Sequence, residues 1–227
     1  MPITIETSPA LATGVETSTV TTGSFTPPAG SLLVASVVAA SADDPVVSGG
    51  GLTWTRRVRN IDGGCELWTA VVAASTSMTV SVAVTDSGFG MGAALKVDVV
   101  SGQHPTAPIG NTGTGNSPTD NATITGYTSS GESRGFCAAS DRNTSGLPSS
   151  SDVESAFHLS PSAFFDLDGM AVRKADDSLP GQPVTFNLAG AGDADWEWAA
   201  LEILAQPAYV RPAVVIPVGA VRRAASW

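Results

Sequence analysis

Asp166 and Asp168 stand two residues apart in a strand-like run, so their carboxylates project from the same side. That spacing suits a hard cation or the acid–base pair of a glycosidase. A second acidic group, Asp193, Asp195 and Glu197, leads into the last strand-like stretch, and Asp43-Asp44 and Asp176-Asp177 sit in turns. At turns and strand ends, carboxylates more often stay solvated and resist edge-to-edge aggregation. Calcium at Asp166 and Asp168 is therefore a minor expectation, and no cofactor or metal is assigned.

Nucleophilic chemistry finds little material. There are two histidines, His104 in a loop and His158 in a strand. The chain has no Gly-x-Ser-x-Gly elbow, no His-Glu-x-x-His and no Cys-x-x-Cys. Gly110-Asn-Thr-Gly-Thr-Gly lacks the following helix that a dinucleotide site requires. Cys65 and Cys137 lie in apolar runs and read as buried free thiols. The expectation is a protein that is not an enzyme.

Trp196 and Trp198 share a face opposite Leu201 and Ile203 if their strand is regular, which suits a sugar-stacking platform or a subunit interface. A bulge near Ala199-Ala200 would turn them into the core instead. Arg56, Arg57 and Arg59 crowd one strand end and read as solvated.

The elements that would hold these residues are short strands. Among 227 residues, 24 are Gly and 15 Pro, only 14% are charged, and helical periodicity is hard to find. Residues 31–40 (SLLVASVVAA) are almost uninterrupted in apolar and small side chains, as in a strand covered on both faces. Residues 77–85 alternate cleanly, with Met78, Val80, Val82 and Val84 on one side. Along residues 52–59, Leu52, Trp54 and Val58 share a face, and in residues 91–100 Met91, Ala93, Leu95, Val97 and Val99 point inward.

Residues 91–101 (MGAALKVDVVS) and 196–206 (WEWAALEILAQ) echo each other, and the strand-like runs before them follow the same order. This predicts an internal duplication, residues 17–101 and 120–206, divided by the turn-rich stretch 101–120. The expected fold is all-β, an antiparallel jelly-roll-like sandwich over residues 1–206 in which two Greek-key halves close on each other. Two separate small sandwiches are the alternative.

Residues 207–227 change character: no acid, arginines at 211, 222 and 223, and prolines at 207, 212 and 217. They predict an extended basic, apolar arm. With Trp196 and Trp198, the arm residues Arg211, Val215, Ile216, Arg222, Arg223 and Trp227 form the candidate interface.

A formal net charge of −10 with 11 Lys and Arg would repel a phosphate backbone, so nucleic acid is not an expected partner. No run approaches the ~20 apolar residues of a membrane helix, and no secretory signal is evident. Synthesis and assembly in a cytoplasm follow as expectations.

The run TPPAGSLLVASVVAA, then GLTWTRRV, then CELWTAVVAA with its alternating Thr/Val strand, resembles a β-sandwich module of virion proteins in phages of actinobacteria, over roughly residues 17–206. The resemblance implies a minor tail protein or tail-fibre component that assembles with itself and with other virion proteins. A close variant is a capsid decoration protein on the outer head. Apart from the resemblance, a carbohydrate-binding module for a host-surface glycan is the second class of function, and a polysaccharide-cleaving enzyme on the same fold the third. The pattern is structural and carries over no functional residue.

Overall fold

The computed structural model describes residues 1–40, 44–62, 64–85, 92–141, 146–162, 165–190 and 195–207. Of the sequence expectations, those on Asp43, Met91, Asp193 and the arm residues Arg211, Val215, Ile216, Arg222, Arg223 and Trp227 lie outside the described residues.

The chain is all-β and antiparallel. Among the described residues, nine strands make the first half: β1 (Thr4–Ile5), β2 (Ala12–Val15), β3 (Thr19–Thr21), β4 (Leu32–Ala39), β5 (Val46–Gly49), β6 (Thr55–Asn60), β7 (Cys65–Val71), β8 (Val80–Ala83) and β9 (Gly92–Ser101). Seven make the second: β10 (Ile109–Ser117), β11 (Asn121–Thr128), β12 (Ser133–Asp141), β13 (Val153–Ser162), β14 (Phe165–Arg173), β15 (Pro183–Ala189) and β16 (Trp196–Leu204).

Each half is a sandwich of one large and one small sheet. The large sheet of the first half runs β1-β9-β4-β7-β6 with β2 also on β9, and its small sheet runs β3-β8-β5. The second half repeats this order as β10-β16-β12-β14-β13 over β11-β15. An isolated bridge from Ser149 to Ala189 stands where β5 meets β8 in the first half. Most connections cross between large and small sheet, the trait that Greek-key and jelly-roll sandwiches share.

The two halves do not close on each other as a single sandwich. Each closes on its own small sheet, and the two large sheets then pack back to back, giving four layers. The reason lies in the side chains: β4 and β9 are apolar on both faces. Leu33, Ala35, Val37, Leu95, Val97 and Val99 fill the first sandwich, while Leu32, Val34, Val38, Ala94 and Val100 face the other way and meet Phe136, Ala138, Leu201 and Ile203 of the second half. An open sheet with two apolar faces needs cover on both.

Across this central core the halves are related by an approximate twofold. Strand β6 lies over β10 and β16, and β13 lies over β2 and β9. Polar clasps join the halves at the rim. The Ile3 amide donates to Asp177, and Arg134 bridges Asp177 to the Ile3 carbonyl at 2.7 and 2.9 Å.

The strand order repeats between the halves, but the sequence echo between residues 91–101 and 196–206 is out of register. Val37 pairs with Leu95, and Ala139 with Trp198. With β4 laid on β12 so that Val37 falls on Ala139, Leu95 therefore occupies the place of Trp198, not of Leu201. Leu95 and Leu201 face different cores.

The turn-rich stretch is also reassigned, since Ile109–Ser117 is a nine-residue strand. Its glycines serve close packing. A Cβ on Gly113 would run into the Gly126 carbonyl, and one on Gly115 would lie 2.6 Å from the Trp198 ring.

Candidate functional site

Trp196 and Trp198 lie on one face of a regular β16, opposite Leu201 and Ile203, as their spacing requires. That face is not open. Trp196 is fully buried and Trp198 is 7% exposed, under Ile124, Tyr127, Phe186 and Leu188 of the small sheet. Neither tryptophan offers a stacking platform or a subunit contact, and both leave the candidate interface. No bulge was needed to bury them, because the β11–β15 pair covers the face.

One further expectation changes. Val58 does not share a face with Trp54, because the register shifts between Arg56 and Val58 and turns Val58 toward the central core. Arg56 and Arg57 are exposed and Arg59 is half-buried, and each has a partner. Arg56 pairs with Asp44 at 2.9 Å and stacks over Trp68, Arg59 pairs with Glu66 at 3.0 Å, and Arg57 donates to Thr69. Burial raises the Glu66 carboxyl above its usual range, against the pull of the Trp68 N–H and of Arg56 and Arg59.

Both cysteines are buried thiols. The Cys65 thiol lies 3.3 Å from the Ser140 hydroxyl across the central core, and burial pushes the Cys137 thiol well up.

Asp166 and Asp168 do share a side of β14, but Asp168 is buried and committed. It bonds His158 Nδ1 from β13 and accepts the Gly146 amide at 3.2 Å. Ser160, two residues along β13, places its hydroxyl 3.4 Å from His158 Nε2. The order Ser160–His158–Asp168 is that of a nucleophile, base and orienting acid. Its setting is not: Ser160 is exposed and the His158 side chain is 37% exposed, so water competes for both. Among the described residues no cluster of three or more metal-ligating side chains occurs.

The group that sequence reasoning missed lies between the sandwiches. Where β13 and β14 cross β9, a cleft of about 320 Å³ opens, lined by Glu6, Ser8, Lys96, Asp98, Glu154, Ser155 and Arg173 with Ile5, Val153 and Ala171. The path of residues 6–11 creates it. The Glu6 amide still bonds the Val99 carbonyl, but the Val99 amide turns to the Ser8 hydroxyl and Lys96 reaches the Pro9 carbonyl at 2.6 Å. Pro9 has no N–H to give to a ladder.

Asp98 forms the floor, almost wholly buried, with Arg173 Nε 3.5 Å from its carboxylate. Burial raises the carboxyls of Asp98 and Glu154 and lowers the Lys96 ammonium. Clustered perturbed groups in a cleft between two packed units are a recurrent mark of ligand sites. Sequence could not show it, because its residues come from four separate segments.

Among the described residues no helix is long and apolar enough to cross a membrane. Comparison with protein-family models, curated proteins and solved structures finds no match to this chain.

Proposed function

We propose that this chain is a non-enzymatic structural protein of a bacteriophage virion, a minor tail or tail-fibre component. It is made in the host cytoplasm and assembles with copies of itself and with other virion proteins. The observation that carries the reading is the shared central core: two sandwiches of one design joined through apolar faces into a four-layer block. Such a block resists deformation because its interior is close-packed and offers no hinge between the halves. The acidic body and the basic, apolar sequence of residues 207–227 are complementary in charge between neighbouring subunits.

The test compares the full chain with a version ending at Gln206 in the producing host. The full chain is expected to co-sediment with particles, and the shortened chain to fold and remain a monomer by native mass. Recovery on tails or on heads separates the tail component from a decoration protein. If both versions are monomers and neither joins particles, the structural reading fails.

The open setting of Ser160 yields a second expectation. A fluorophosphonate probe should leave the native chain unlabelled. Labelling that is lost in Ser160→Ala would overturn the non-enzymatic assignment.

A further inference from the structure

The two crossings related by the approximate twofold are built differently. Where β6 meets β10 and β16, Asn60 closes the junction by donating to the Gly115 carbonyl and to Glu197 Oε2, both at 2.9 Å. At the other crossing, β13 over β2 and β9, Arg173 of the second half pairs with Asp98 of the first at 3.5 Å, and the charged cleft opens around this pair. One strand order on one shared core thus ends in a seal on one side and in a polar cleft on the other.

We propose that this open crossing is a binding site for a single neutral sugar unit of a glycan. The proposal does not depend on the virion role. It stands on the balance of charge around the cleft. On the floor, Asp98 lies between Lys96 of its own strand and Arg173 of β14, so the two cations are largely offset by a buried carboxylate. On the walls, Glu6 and Glu154 disfavour an anion, and the lining as a whole mixes three carboxylates with two cations, which suits a ligand that both donates and accepts hydrogen bonds.

A hydroxyl satisfies both kinds of group, since it donates to a carboxylate and accepts from a guanidinium or ammonium. Several hydroxyls on a rigid ring do so at fixed spacing, and little rotamer entropy is lost on binding. At about 320 Å³ the cleft is at the small end of ligand sites, which suits one ring better than an oligosaccharide. The lining residues include no aromatic side chain. Binding therefore rests on hydrogen bonds, and millimolar affinity is expected.

The experiment is saturation-transfer NMR on the full chain with the methyl glycosides of glucose, galactose, mannose, arabinose and N-acetylglucosamine. Glucuronate and glucosamine serve as the charged comparators. At least one neutral glycoside should receive saturation, and more strongly than either comparator. Arg173→Met should weaken that binding about tenfold, the loss of one charge-assisted hydrogen bond. Ser155→Tyr, which fills the cleft from β13, should abolish it while leaving the thermal midpoint unchanged, and it decides the matter if Arg173→Met does not fold. Absence of transfer to every neutral glycoside, a preference for either comparator, or binding untouched by Ser155→Tyr would each overturn the proposal.

Discussion

Replacing Phe136 by alanine is expected to destabilise both halves of the chain together, by about 3–5 kcal/mol. Phe136 is fully buried in the central core, opposite Leu201 in the β12–β16 ladder, and it packs among residues of both large sheets. The loss combines the transfer free energy of the ring with the cavity left behind, and a close-packed interior collapses only partly into such a space. Against a total stability of roughly 5–15 kcal/mol it is large. The decisive feature is its reach. In urea, the backbone amide NMR signals of the first half and those of the second should be lost at one common midpoint, lowered equally by Phe136→Ala. A first-half midpoint that stays at its native value would show that the halves are independent.

Glu202→Gln is the second large effect. Glu202 is fully buried, yet its carboxylate is saturated with donors. Oε2 accepts from the Asn111 amide and the Ser130 hydroxyl, both at 2.7 Å, and Oε1 accepts from the Ser130 amide at 2.8 Å and the Ser129 hydroxyl at 3.0 Å. Glutamine keeps one acceptor and turns an N–H₂ toward two donors, at a cost of about 3 kcal/mol near neutral pH.

The pH dependence carries a sign. Burial by itself would raise the Glu202 carboxyl, but the Asn111 amide, the Ser130 and Ser133 hydroxyls and the Ser130 amide together outweigh it, and the group titrates below its ordinary value. Its contribution is therefore complete above the unfolded value of about 4.3 and is lost as pH falls through the folded one. Glu66 and Asp98 act in the opposite sense, because their raised carboxyls favour the fold below the unfolded value and cease to do so as pH rises. The difference between the native chain and Glu202→Gln isolates the first effect. In urea titrations that difference should shrink from neutral pH to pH values below ~4. A difference independent of pH, or none at neutral pH, would contradict this account of the site.

The all-β class and many of the strands were legible in the sequence because local pattern alone decides them. Residues 31–40 can be read as a doubly covered strand from their unbroken apolar run, and every residue of β4 is buried. Met78, Val80, Val82 and Val84 alternate inward as written. Glycine-rich β10 was not legible, since Gly-Thr-Gly spells a turn until Trp198 and Gly126 are known to press against it. The tryptophan pair was half legible. Periodicity placed both rings on one face, and only the tertiary pairing of β11 with β15 decided that this face is covered. The inter-sandwich cleft was not legible, because Glu6, Lys96, Glu154 and Arg173 become neighbours only when the second large sheet packs on the first.

Native-state hydrogen exchange tests the shared core most directly. If the two sandwiches stand on one central core, the slowest amides of β4 and β7 and those of β12 and β16 will exchange with the same limiting free energy, equal to that of global unfolding. They will also shift together in Phe136→Ala. A stable class confined to one half, with the other half exchanging through a separate opening of lower free energy, would contradict the four-layer block and the structural role drawn from it.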